Sequence, residues 1–233
     1  MIVQIILLSL GAISLSWFLF EKLKGYCLKE VIIKGITSAF FIALGIYVLY
    51  TTNLKYFSKF AVLGLVCGLF GDIFLELKYA YRSKEYEYTM AGFIAFAIGH
   101  ILYITGRFLE FYKDQSVFFI LVPVFIGLLM GPGTIFMGKV LKTNYGRYKI
   151  ISFIYATILF TMLASTFSAW MMSGFINTGL LLLFIAGILF TVSDLILNLT
   201  YFGEGHDKPF DLISNAITYY SAQFIIAFSI VFI

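Results

Sequence analysis

Apolar stretches of about twenty residues follow one another along this chain from end to end, separated only by short polar connections. Roughly 20 such residues carry a helix across about 30 Å of hydrocarbon, whereas the strands of a membrane barrel would alternate strictly between apolar and polar. Only 12% of the 233 residues are charged and 61% are hydrophobic, against about 25% charged in an ordinary soluble domain. The expected fold class is therefore all-α, a polytopic integral membrane protein. Its eight transmembrane helices are placed at about 1–20, 31–50, 57–77, 90–111, 116–138, 149–170, 174–201 and 212–233. No linker, low-complexity segment or soluble insert interrupts them, so one transmembrane domain is expected over 1–233.

Charge follows the connections rather than a single face. The loops after the first, third, fifth and seventh helices hold Lys22, Lys24, Lys29, Lys34, Lys78, Arg82, Lys84, Lys139, Lys142, Arg147, Lys149 and Lys208; the others hold Lys55, Lys59, Arg107 and Lys113. Under the positive-inside rule this imbalance puts both termini outside the cytoplasm. It also accounts for the net charge of +4 without a nucleic-acid partner, for which a basic face would be needed. The N-terminal run has no basic leader and no A-x-A-like site, and positive charge follows it; it is expected to be kept as the first helix. Cys27 falls in a loop and Cys67 in an apolar run, which implies neither a disulfide nor a cysteine metal site.

Two short segments share a pattern. "GDIFLELKY" at 71–79 and "SDLILNLTY" at 193–201 both read small, Asp, aliphatic, apolar, Leu, Glu or Asn, Leu, any, Tyr, at an offset of 122 residues. Four helices separate them, so both run the same way, as a parallel 4+4 pseudo-repeat would require. A chance match of Leu-rich segments would look similar. Either way Asp72 and Asp194 sit at matching depth, toward the cytoplasmic ends of their helices.

Ionisable groups facing lipid cost several kcal/mol, so intramembrane Asp, Glu and His usually line a bundle interior or an aqueous cavity. At helical spacing Asp72, Glu76 and Tyr79 share a stripe, as do Asp194, Asn198 and Tyr201, and His100, Tyr103 and Arg107; Asn215, Tyr219 and Gln223 form a fourth. Together they predict one polar chamber opening inward. Each has a plainer explanation. Either aspartate can anchor a neighbouring helix. Glu76 and Arg107 lie near enough to helix ends to snorkel, His100 can be a satisfied packing residue, and tyrosines often mark the interface. Thr157, Thr161 and Ser165 on one helix, and the Gly64-x-x-x-Gly68 pair on another, read as close packing; the "GPG" at 131–133 reads as a kink.

Several chemistries lack their residues. His100 and His206 are the only histidines, too few for a zinc hydrolase, and no Ser-His-Asp context, Walker loop or dinucleotide fingerprint is present. No metal and no cofactor is expected. What remains is a pair of carboxyl groups in a low-dielectric chamber, where different surroundings can leave one a proton donor and the other ionised.

"GDIFL" at 71–75, "FAIGHILY" at 96–103 and "SDLIL" at 193–197, on three helices of an eight-helix chain, resemble the YhhN-type lysoplasmalogenase family over essentially the whole length. Each motif is weak alone; their order, placement and spacing are specific together. The resemblance implies a hydrolase that cleaves the vinyl ether bond of a 1-alkenyl lysophospholipid, releasing a fatty aldehyde and glycerophospho-ethanolamine or -choline. It implies Asp72 and Asp194 as the catalytic pair, with Gly71, His100, Tyr103 and Ser193 around them, and "YYSAQ" at 219–223 resembles the family's polar segment on the last helix. Glu76 and the "IKG" at 33–35 depart from the pattern, which bears on substrate preference more than on reaction type. In this view Asn198, Tyr219 and Gln223 support the site, and Lys34 or a loop base meets the phosphate while tyrosine faces or Glu76 meet the ammonium.

The expected partners are thus the lysophospholipid and the lipid bilayer, with no nucleic acid; the Lys-, Ile- and Phe-rich, proline-poor composition suits a bacterial inner membrane, and oligomeric state is not encoded legibly. A proton-coupled small-molecule or lipid transporter is the competing class, since parallel repeats with intramembrane carboxylates serve such proteins too. An intramembrane aspartyl protease ranks lower, because Leu69 stands where its G-x-G-D signature needs glycine. The orientation has a direct check. In a background with Cys27 and Cys67 replaced by serine, a Lys142→Cys protein is expected to react with a membrane-impermeant maleimide only from the cytoplasmic side; labelling of intact cells from outside would invert the topology.

Overall fold

A computed structural model describes residues 2–25, 28–52, 55–113, 115–204 and 208–233. Among these residues there are eight long helices and no strand: α1 (Ile2–Lys22), α2 (Leu28–Thr51), α3 (Tyr56–Ala80), α4 (Glu85–Phe111), α5 (Val117–Val140), α6 (Lys149–Met172), α7 (Thr178–Phe202) and α8 (Pro209–Ser229). They run from 21 to 27 residues, or about 32–40 Å at 1.5 Å per residue, and all eight are apolar enough to span a bilayer. The protein is an integral membrane protein. Cys27 and His206 lie outside the described residues.

Hydropathy alone misplaces several helix starts, because first turns are polar. α8 begins at Pro209 rather than near 212: proline at the first helical position has its φ preset, and Asp211 suits the positive end of the helix dipole. α4 begins at Glu85 rather than near 90, with Glu85 and Glu87 in its first turn. α7 starts late, at Thr178, where the Asn177 side chain accepts a 2.9 Å hydrogen bond from the Leu180 amide. The Gly131-Pro132-Gly133 segment lies within α5 and forms no loop.

Six helices close a ring in the order α2, α3, α4, α6, α7, α8 and back to α2; α1 packs on the outside of α2 and α5 on the outside of α6. A shift of four helices maps this neighbour scheme onto itself, as a 4+4 repeat would. Glycines set the closest approaches. Gly99 of α4 meets the Gly64 backbone of α3, while Gly64 and Gly68 leave room for the Tyr103 ring and the Gln223 amide, so the GxxxG pair admits polar side chains as well as a helix. Large apolar side chains on the periphery, such as Ile13, Phe20, Phe125 and Phe136, are exposed, as lipid contact requires.

The α5–α6 contact rests on Gly127 and Gly131 against Thr157 and Thr161; a Cβ at Gly127 would overlap the Thr161 hydroxyl and lie 2.5 Å from the Thr157 carbonyl. Gly127→Val is therefore expected to destabilise the detergent-solubilised protein by about 1–3 kcal/mol, the usual cost of overpacking, read as a lowered thermal midpoint. Gly133→Val, where a Cβ would meet nothing within 4 Å, should leave the midpoint unchanged.

Candidate functional site

The ring interior holds two carboxyl centres, one on α3 and one on α7. Asp72 and Glu76 stand one turn apart on α3 and both are buried, at 1% and 2% exposure. Charges so placed persist only when paired. Glu76 forms ion pairs with Lys22 of α1 and, at 3.2 Å, with Lys34 of α2. Lys34 also reaches Asp72 Oδ1 at 3.6 Å. The other Asp72 oxygen, Oδ2, accepts hydrogen bonds from Ser38 at 2.6 Å and Tyr219 at 2.8 Å. Ser38 lies one helical turn beyond Lys34 and on the same face, so one stripe of α2 supplies both a cation and a hydroxyl. From Tyr219 the network continues on α8: Gln223 donates to the Tyr219 hydroxyl at 3.1 Å and accepts from Tyr103 of α4 at 2.9 Å.

Asp194 has different company. Its Oδ2 accepts a 2.6 Å hydrogen bond from Tyr155 of α6, and behind that phenol His100 Nε2 lies 3.1 Å from the same hydroxyl and 3.9 Å from Asp194 Oδ2. His100 is buried, edge-on to Phe190 with ring centroids 4.6 Å apart, and its Nδ1 has no partner among the described residues. No lysine or arginine forms an ion pair with Asp194 there.

A cavity of about 50 Å³ runs past Asp194 and is walled mainly by Phe93, Phe96, Leu159, Phe160 and Phe202. Two polar atoms facing this lining, Asn198 Oδ1 and Ser152 Oγ, are buried without a partner among the described residues, while Asn198 Nδ2 donates to Tyr145 at 3.0 Å. A second cavity of about 50 Å³ is lined by Lys22, Lys34, Glu76 and Tyr219, and meets the first at Leu197 and Tyr201. The single chamber expected from the stripes is thus two cavities with a shared wall, one apolar and one charged. The Tyr219 ring, between them, packs edge-on to Phe96 and Phe190 at 5.7 and 5.4 Å.

Other expected residues are deployed elsewhere. Ser193 is buried against α8, where Asn215 donates to its carbonyl and hydroxyl oxygens at 2.8 and 3.0 Å, a helix–helix clasp facing away from Asp194's phenol. Arg107 and Glu76 do not snorkel: both are buried, and Arg107 donates to Ser165 Oγ at 3.0 Å and the Met162 carbonyl at 3.3 Å, joining α4 to α6. Lys34 is committed to two carboxylates, which leaves its ammonium little capacity for a phosphate. Tyr155, Ser38 and Lys22 complete the two centres and had no motif to announce them. Among the described residues no group of three His, Cys, Asp or Glu side chains converges as metal ligands would.

A ring of membrane helices enclosing two phenol-bound carboxyl groups, one of them lining an apolar cavity, defines a polytopic membrane protein with buried ionisable groups. The YhhN family model matches residues 31–230, and the chain belongs to the YhhN family. That span includes both aspartates and leaves out all of α1, with Lys22. No curated protein and no solved structure matches the chain.

The charge cluster generates a stability prediction. Glu76→Ala takes one carboxylate away from both Lys22 and Lys34, and removing one side of a buried ion pair typically costs about 3–5 kcal/mol. Thermal unfolding in detergent should show that loss for Glu76→Ala, and Lys22→Met combined with Glu76→Gln should recover a large part of it. Equal stability of Glu76→Ala and the wild type would mean that the cluster is hydrated and worth little.

Proposed function

We propose that the protein is a membrane hydrolase of lysoplasmalogen type, which cleaves the vinyl ether of a 1-alkenyl lysophospholipid. The observation that carries this reading is the Asp194 carboxyl: it lines an apolar cavity, and a phenol occupies one of its oxygens while, among the described residues, no lysine or arginine pairs with it. Family membership supports the same reaction class. A carboxyl in that setting suits the neutral acid form. Because Tyr155 donates to Oδ2, Oδ1 is left to carry the acidic proton.

The reaction needs little else at its first step. Asp194 delivers its proton to the outer alkene carbon, and the ether oxygen shares the positive charge that develops on the carbon beside it. Water adds to that carbon and gives up a proton to a carboxylate; the hemiacetal then collapses to aldehyde and the glycerol hydroxyl. One water is consumed, and no electron acceptor is required. Asp72, which accepts from Ser38 and Tyr219 and faces Lys34, fits the ionised partner. Its charge favours the cation from the side of the charged cavity, through which water has access to Tyr219. The apolar cavity suits the chain, and the unpartnered Asn198 Oδ1 suits the free hydroxyl that a lysolipid has and a two-chain lipid lacks.

The test is aldehyde release by purified protein from 1-alkenyl lysophosphatidylethanolamine, beside its 1-acyl and 1-alkyl counterparts, with a chelator present. Aldehyde from the alkenyl lipid alone is expected. General acid–base groups contribute about 10²–10⁴ in rate, so Asp194→Asn and Asp72→Asn should each lose at least 10²-fold with the protein still monodisperse. Tyr155→Phe, which leaves the acid but frees Oδ2, should lose about 10-fold or more. Retention of most activity in Asp194→Asn would sink the acid assignment. The repeat-like neighbour scheme favours a proton-coupled transporter as the second reading; uptake of chemically unchanged lipid into proteoliposomes, with no aldehyde, would select it.

A further inference from the structure

Lys78, in the last turn of α3, is a buried cation that neither carboxyl centre uses. It is 7% exposed, and its ammonium stands 3.1 Å from the Tyr201 ring centroid and 4.8 Å from that of Tyr79. Among the described residues no carboxylate lies within 4.0 Å of it, in contrast to Lys22 and Lys34, which share Glu76. Aromatic faces offset part of the cost of burying an ammonium; an anion is what removes the rest.

A third cavity, about 1070 Å³ including its open mouth, gives that anion a place. Lys78, Arg82, Glu85, Thr89, Tyr148 and Tyr201 line it, and the Tyr148 hydroxyl is a buried polar atom without a protein partner among the described residues. Tyr201 and Phe202 belong both to this cavity and to the one beside Asp194, and Tyr201 also borders the cavity of Lys22 and Lys34. The path from the mouth to the acid therefore begins at a buried cation and ends between aromatic walls. Its polarity is that of a single-chain phospholipid lying headgroup outward. Glu85 alone would repel a phosphate, but beside Lys78 and Arg82 it completes a complement for a zwitterion, phosphate to the lysine and arginine and the terminal ammonium to the glutamate.

We propose that Lys78 is the phosphate anchor of this protein, binding the phosphodiester of a zwitterionic lysophospholipid at the mouth so that its chain passes Tyr201 into the Asp194 cavity. The proposal rests on the reading of the site as a lysolipid site, and replaces Lys34, which has its own carboxylates, in the headgroup role. Lys78 acts on binding and orientation, not on the reacting bond.

The test separates binding from turnover. Affinity for a non-cleavable 1-alkyl lysophosphatidylethanolamine is compared with that for 1-alkylglycerol of the same chain, using the full chain in maltoside detergent as wild type, Lys78→Gln and Lys78→Arg. A charge-assisted contact to phosphate predicts a preference of about 10-fold or more for the phospholipid in the wild type, lost in Lys78→Gln and largely kept in Lys78→Arg. Alkylglycerol affinity should be the same in all three, which doubles as the folding control. A full preference in a folded Lys78→Gln protein overturns the anchor. Competition by glycerophosphoethanolamine at lower concentration than by inorganic phosphate assigns the site to the headgroup; the reverse order makes it a free-phosphate site and overturns that assignment. In the aldehyde assay, a wild type that turns over while Lys78→Gln keeps its KM removes the anchor and leaves the hydrolase standing. No aldehyde from the wild type, with the Lys78-dependent preference intact, removes the hydrolase and leaves the anchor.

Discussion

Glu76 is held between Lys22 and Lys34, and the packing of α1, α2 and α3 at this end of the bundle depends on that triad. It ties α1, α2 and α3 together where each helix would otherwise bury an uncompensated charge. Lys34 then has an ammonium close enough to reach Asp72 as well. The carboxylate that departs from the expected family pattern is therefore the one that fixes the cation next to the motif aspartate. Without Glu76, Lys22 and Lys34 would each lose a carboxylate they now share.

The two aspartates occupy matching positions in two similar sequence segments, yet the bundle treats them differently. Asp72 receives a cation and two hydroxyl donors; Asp194 receives one phenol and an apolar cavity wall. A perfectly repeated scaffold would give two equivalent acids, and equivalent acids make poor acid/base partners. Part of the difference lies inside the shared pattern itself. Glu76 is replaced by Asn198 in the second segment, which removes the need for a lysine there and leaves an amide to meet Tyr145 instead. The Glu-to-Asn difference inside the common pattern thus goes with the contrast between a charged cavity and an apolar one.

The all-helical span count and the depth of both aspartates were legible because they rest on strong signals: long apolar runs, and ionisable residues that lipid does not tolerate. Helix starts were less legible, since a first turn such as Pro209-Phe210-Asp211 is polar whatever follows it. The partners of the aspartates were the hardest to read. Tyr155 and Ser38 are ordinary in membrane helices, and what distinguishes them is the face they present after α6 and α2 have packed, a property of the ring and not of local spacing alone. Lys22 and Lys78 were visible but were counted with the topology-setting cations at helix ends, a pattern that does not say which side chains turn inward. Arg107 shows the same ambiguity on the opposite side of the bundle, where it joins α4 to α6 rather than reaching for the interface.

Tyr201 and Tyr219 explain how separate cavities can serve one ligand. Tyr219 gives its hydroxyl to Asp72 and its ring edge to Phe96 and Phe190, which wall the space near His100. Tyr201 borders all three cavities and stacks under Lys78. A tyrosine can do this because its ring tolerates hydrocarbon while its hydroxyl and its π face meet polar groups and cations. The boundary between apolar and charge-bearing space is therefore built from side chains that belong to both, and an amphiphile crossing it would exchange one kind of contact for the other without exposing the carboxyl groups to lipid.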